Sequence, residues 1–141
     1  MSDAGFWLTT ERLGLRRFTL DDRDWLAELH SDVEVMRYLG GTKDPLQSEE
    51  LLHSRILQYY QDHPGLGIWM TTERSTGTPV GFHLLNHIQG ESFIQVGFAL
   101  LKPAWGCGYG TEMAAAVLRY GFIGLALPHI VGMANLENRA S

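Results

Sequence analysis

Two periods of apolar residues run along this chain, and they divide it into elements. Near the start, Leu13-Gly-Leu-Arg-Arg-Phe18 alternates with a period close to two, which predicts a strand. The period then lengthens. Thr19-Leu-Asp-Asp22 resembles a capping box with Asp in place of Glu, and it introduces a helix through about His30, with Trp25, Leu26 and Leu29 on one face. Residues 32–39 predict a short helix closed by Gly40 and Gly41. Residues 45–62 predict a longer one, with Ser48 as N-cap and Leu52, Ile56, Tyr59 and Tyr60 as its apolar stripe.

Past His63-Pro64-Gly65 the pattern returns to strands, over residues 67–73, 80–87 and 92–101. Short turns, Ser75-Thr-Gly-Thr-Pro79 and Gln89-Gly90-Glu91, make consecutive strands antiparallel neighbours. Pro103 stops the third ladder, because it has no N–H to donate. Helix formers then run from Thr111 to Arg119, with helix expected to about Gly124. After Pro128, residues 129–133 predict a last strand, which returns through a helical crossover and so lies parallel to the strand before the loop. The order β-α-α-β-β-β-α-β predicts a mixed α/β (α+β) sheet covered by helices.

Between the third of these strands and its helix stand Gly106, Gly108 and Gly110, at alternate positions. A glycine-rich turn that opens a helix is an anion site. The first N–H groups of a helix lack internal partners, the dipole places positive charge there, and glycine permits close approach. The pattern points to a phosphate or pyrophosphate on residues 106–111.

With 141 residues, 45% hydrophobic and 19% charged, the chain has the size and composition of one globular domain. A net charge of −5 gives no electrostatic footprint for nucleic acid. No apolar run approaches the roughly 20 residues of a membrane span, and no signal-type N-terminus is seen. Cys107 is the single cysteine, so no internal disulfide forms, and a cytoplasmic setting is expected. Cys107 is read as a small residue filling a loop position. No metal site is expected.

Trp105-Gly-Cys-Gly-Tyr-Gly-Thr-Glu112 followed by Tyr120-Gly-Phe122 resembles the acetyl-CoA loop and helix of the GNAT N-acetyltransferase superfamily. Thr10-Glu-Arg-Leu13 with Leu15-Arg16, Gly81, Gly97-Phe98 and Asn135-Leu-Glu-Asn-Arg-Ala-Ser141 resemble the same family in the same order. The likeness is closest to the branch that acetylates ribosomal-protein N-termini. It implies a GNAT-like fold over residues 1–141, acetyl-CoA as co-substrate, and direct transfer of acetyl to a primary amine of a small molecule or peptide. The cofactor residues it implies are Phe98, Ala99, Leu100, Trp105, Gly106, Cys107, Gly108, Tyr109, Gly110, Thr111 and Asn138. The loop pattern begins with Gln or Arg, and this chain has Trp105 there. Pantetheine would bond to backbone at Phe98 and Leu100. Asn138 and Ser141 match the family's Asn-x-x-Ser pair, with Ser141 donating a proton to the leaving thiolate. Many relatives place a Glu two residues ahead of the strand Gly. Gln95 stands there and cannot take a proton. His83 and His87 alternate on the preceding strand; each is read first as a satisfied or exposed strand histidine, with a base as the alternative, and Glu91 is read as solvated.

In the family, Asn-x-x-Ser begins a further helix and a last strand, so the domain is expected to be incomplete at its C-terminus. The uncovered edge of the last strand then predicts a homodimer. A CoA-binding domain without turnover is the alternative reading. A dinucleotide-dependent oxidoreductase fits poorly, because its glycine fingerprint belongs in the first βαβ unit.

Overall fold

The computed structural model describes residues 5–132. It contains one six-stranded sheet whose order follows the sequence. The strands are β1 (Leu8–Thr9), β2 (Leu13–Arg17), β3 (Gly67–Glu73), β4 (Pro79–His87), β5 (Ile94–Leu100) and β6 (Val131–Gly132). Neighbours from β1 to β5 are antiparallel. β6 alone is parallel, pairing Gln95 with Val131 and Val96 with Gly132. The expected crossover is thus present, on a strand that begins at Val131 rather than at residue 129. Met133 lies outside the described residues.

The helices are α1 (Arg23–Ser31), α2 (Val33–Met36), α3 (Pro45–Leu51), α4 (Tyr59–Asp62) and α5 (Tyr109–Arg119). A π-helical stretch, Leu52–Gln58, joins α3 to α4. A second, Tyr120–Gly124, extends α5. Thr19 caps the turn before α1, with Asp22 completing the reciprocal box. α3 corrects one expectation. Its N-cap is Asp44, whose side chain accepts from the Gln47 N–H while its own N–H donates to Gln47 Oε1. Ser48 lies inside the helix, buried, with its hydroxyl 2.8 Å from His30 Nδ1.

α5 packs on β4 and β5, on the face that carries Thr71, His83 and Phe98. Strand alternation sends Met70, Phe82 and Asn86 to the other face, where they are buried. Of the predicted stripe, Leu52, Ile56, Tyr59 and Tyr60 are all buried. Gly81 shows how closely β4 and β5 meet. A Cβ there would fall 2.1 Å from the Ala99 carbonyl oxygen.

Candidate active site

The site begins where β5 ends. The Leu101 N–H donates to the Val80 carbonyl and the Ile88 N–H to the Phe93 carbonyl. That register turns the N–H and C=O of residues 97 and 99 toward β4, and those of Phe98 and Leu100 toward β6. Described pairing with β6 stops at Val96. Phe98 and Leu100 therefore present outward backbone beyond the last described pair. Ala99 does not: its backbone serves β4.

A 3-10 turn, Lys102–Ala104, follows, and Trp105 leaves it in extended geometry. The Trp105 indole N–H donates to the Leu100 carbonyl at 2.7 Å. The residue standing where the family has Gln or Arg thus ties the loop to the strand end. Gly106 and Gly108 adopt positive φ of 78° and 82°, a region that disfavours side chains. Gly108 is the N-cap of α5, so the helix starts at Tyr109, two residues before the expected Thr111. The first bond to a carbonyl four residues back runs from the Glu112 N–H to Gly108. The N–H groups of Tyr109, Gly110 and Thr111 precede it and have no partner within the helix. A Cβ on Gly106 would meet nothing within 4 Å. Left-handed glycines, open space and first-turn N–H groups make a cradle that fits a pyrophosphate. Cys107 is exposed, with Sγ 3.8 Å from the Trp105 carbonyl.

Three contacts brace this loop. His83 Nε2 lies 3.1 Å from the Gly110 carbonyl, and Nδ1 lies 2.6 Å from Thr71 Oγ1. A carbonyl only accepts, so Nε2 carries the hydrogen and Nδ1 accepts from the threonine. Tyr109 OH donates to Glu73 Oε2 at 2.6 Å. Glu112 receives Thr10 Oγ1 at 2.5 Å, the Arg12 N–H at 3.0 Å and Arg12 Nε at 2.7 Å. Partial burial raises the Glu112 pKa, but these donors outweigh it and hold the carboxyl below its ordinary range. Thr10, Arg12 and Glu112, all within motifs quoted above, are in contact across about 100 residues of sequence. Strand spacing gives no sign of that contact.

His83 is a satisfied strand histidine, and the alternative of a base falls away. It is fully buried, stacks on Phe98, and its pKa is pushed down to about 4 by burial. It is a neutral brace. His87 is half-buried, with Nδ1 2.6 Å from Tyr59 OH and its ring 4.7 Å from that of His63. Burial lowers its pKa first, then the charges of His63 and Arg55. It borders a cleft of about 530 Å³ shared with Tyr59, His63 and Glu91. Gln95 donates to Asn86 Oδ1 at 3.2 Å. Asn138 and Ser141 lie outside the described residues. A smaller cleft of about 260 Å³ runs beside the loop between Tyr109, Cys107 and Val80. A larger one, about 540 Å³, is lined by Trp7, Trp69, Tyr120 and Arg17 and includes no residue of the loop. Among the described residues no His, Cys, Asp or Glu cluster could hold a metal.

This sheet, its glycine loop and the helix behind it define the acetyltransferase class. The chain belongs to the GNAT family: residues 12–141 match the domain described as "Acetyltransferase (GNAT) domain". It is similar to YoaA of Bacillus subtilis (strain 168), named an uncharacterized N-acetyltransferase. The two are 32% identical over 141 residues, covering 95% of this chain and 76% of that protein. An acetyltransferase of Agrobacterium tumefaciens str. C58 superposes with a TM-score of 0.81 at 26% identity, over 94% of this chain and 75% of that one. The spermidine N-acetyltransferase of Vibrio cholerae, solved with CoA and spermine, shares the fold. Its TM-score is 0.73 at 18% identity, over 92% of this chain and 75% of that one. This protein is an acetyltransferase, and enzymes of the family take the acetyl group from acetyl-CoA.

Proposed function

We propose that this chain transfers acetyl from acetyl-CoA to a primary amine, with an α-amine at a protein N-terminus as the acceptor. The cradle at residues 106–111 carries the proposal: two left-handed glycines and the first N–H groups of α5, set at the end of a strand whose described pairing with β6 stops at Val96. When bound, the cofactor supplies an activated acetyl thioester. The loop N–H groups hold its pyrophosphate, and Trp105 takes part by shaping the loop. Phe98 and Leu100 pair with its extended amide arm as a sheet edge pairs with an added strand. The Leu100 carbonyl keeps one lone pair beside the Trp105 bond.

Transfer needs a neutral amine and a route for its proton. Of the two histidines on β4, only His87 reaches solvent, with Nδ1 held by the Tyr59 hydroxyl. Resemblance assigns Asn138 to the acetyl end of the cofactor and Ser141 to protonation of the departing thiolate. An amine nitrogen as acceptor is supported by the name of the 32%-identical relative, and the protein N-terminus by the resemblance to the ribosomal-protein branch.

Calorimetric titration with CoA tests the cofactor assignment. Wild type is expected to bind, and folded Gly108→Val to bind at least tenfold more weakly, since a branched side chain opposes both the left-handed backbone and close approach. Unchanged affinity rejects the loop as the site. Turnover measured on N-terminal peptides, polyamines and small amines then tests the acceptor. Preference for a non-peptide amine rejects the protein N-terminus.

A further inference from the structure

Arg12 stands in the turn between β1 and β2, far from the loop in sequence, yet its guanidinium lies beside it. Nε donates to Glu112 Oε1 at 2.7 Å, and the guanidinium carbon sits 4.6 Å from the centre of the Tyr109 ring. Nη2 is 3.5 Å from the position that a Cβ on Gly108 would occupy. The group is therefore fixed by a carboxylate on one side and an aromatic face on another, over the N-cap of α5. Among the described residues none accepts from its two terminal nitrogens. The Arg12 side chain keeps 44% of its surface exposed.

The loop itself offers an anion no cationic side chain. Its first position is Trp105, and that indole N–H is spent on Leu100. Glu112 adds a negative charge in the first turn of the helix, which works against a bound phosphate. A guanidinium paired to Glu112 cancels that charge, and its remaining N–H groups form a planar fork suited to phosphate oxygens.

We propose that Arg12 is a cofactor-contact residue, binding the pyrophosphate of CoA from the β1–β2 side in place of the polar residue the loop lacks at Trp105. This rests on the cofactor reading above. Glu112 and Tyr109 aim the fork. The competing role, a purely structural ion pair, would change stability and leave ligand affinity alone.

The test is calorimetric titration of CoA and of dephospho-CoA, which lacks the 3′-phosphate, into wild type, Arg12→Gln and Arg12→Lys. Melting temperatures are taken without ligand. Arg12→Gln is expected to weaken both ligands by the same factor, roughly tenfold or more, as loss of a charge-assisted contact requires. Its affinity should also depend less steeply on salt. Arg12→Lys keeps a cation without the fork and should fall between the two. Equal affinity in wild type and folded Arg12→Gln overturns the proposal, and so does a loss confined to CoA, which would place Arg12 at the 3′-phosphate. If Arg12→Gln does not fold, Arg12→Lys decides: both ligands weakened severalfold supports the contact, and unchanged affinity overturns it. Wild type that binds CoA with indifference to position 12 defeats this inference alone. Wild type that binds no CoA defeats the cofactor reading and this inference together.

Discussion

His83 Nε2 donates to the carbonyl oxygen of Gly110 across 3.1 Å, joining the middle of β4 to the first turn of α5. The bond explains why a histidine sits in the core of this sheet. Its other nitrogen takes the Thr71 hydroxyl and its ring stacks on Phe98, so one side chain ties β3, β5 and the start of α5 together.

Replacing His83 by Ala should therefore act on stability. It leaves a cavity and strands the Thr71 hydroxyl, at a cost of about 2–4 kcal/mol. Urea denaturation reads the loss, and CoA affinity should fall with it as Gly110 loosens. The pH profile of kcat should keep its midpoint. A large fall in kcat at unchanged stability would return His83 to the role of base.

Acid should begin to destabilise the fold below about pH 6.5, through its buried histidines. His83 and His30 are both pushed down to about 4, from 6.5, by burial first and, for His30, by the charge of Lys43 as well. The unfolded chain takes up protons below about pH 6.5 that the folded chain refuses until about pH 4. The histidine contribution is full above that window, falls as pH drops through it and levels off below it, where protonation of Glu112, held below its ordinary range, carries the loss further. Shifts of this size correspond to about 3 kcal/mol each at most. Denaturation midpoints at pH 7 and 4.5 measure the fall. Substituting Leu at position 30 should remove part of the pH dependence.

The extent to which the sequence foretold this follows from the range of each interaction. β3, β4, β5 and the capping box at Thr19 were readable because their signals are local: alternation, a glycine turn, Asp three residues after Thr. β1 leaves no signal, since two residues carry no period. Ser48 before two glutamates fits the N-cap rule, but Asp44 with Pro45 behind it fits better. The glycine loop was readable as an anion site from spacing alone. Its braces were not. Arg12–Glu112, Tyr109–Glu73 and His83–Gly110 join positions set by the sheet register, which single-sequence patterns do not encode.

Gly81→Ala should distort the strand end that leads into the loop. Its Cβ would meet the Ala99 carbonyl at 2.1 Å and Leu100 Cα at 2.8 Å, and backbone cannot swing aside as a side chain can. A cost of about 1–3 kcal/mol is expected, together with weaker CoA binding. Gly97→Ala is the control. Its nearest neighbour is Leu84 Cδ1 at 3.4 Å, an ordinary contact. Denaturation and CoA titration on the pair should separate them clearly.

Trp105→Phe tests whether the loop is shaped by an indole N–H. The chain leaves β5, makes one 3-10 turn and reaches Trp105, whose N–H donates to the Lys102 carbonyl at 3.0 Å. The side chain then reaches back to the Leu100 carbonyl. That single donor closes residues 100–105 into a ring of contacts and sets where Gly106 begins its left-handed turn. Phe keeps the aromatic packing and removes only the donor. The stability cost should be small, about 1 kcal/mol, as for one neutral hydrogen bond. The effect on the cofactor should be larger. A loop free to vary must be ordered when CoA binds, so KM for acetyl-CoA should rise severalfold while kcat holds, the signature of lost ground-state binding. Trp105→Ala, which also removes the packing, should add a stability loss. If Trp105→Phe keeps the wild-type KM and only Trp105→Ala changes it, the ring shapes the loop by bulk and the indole bond is incidental.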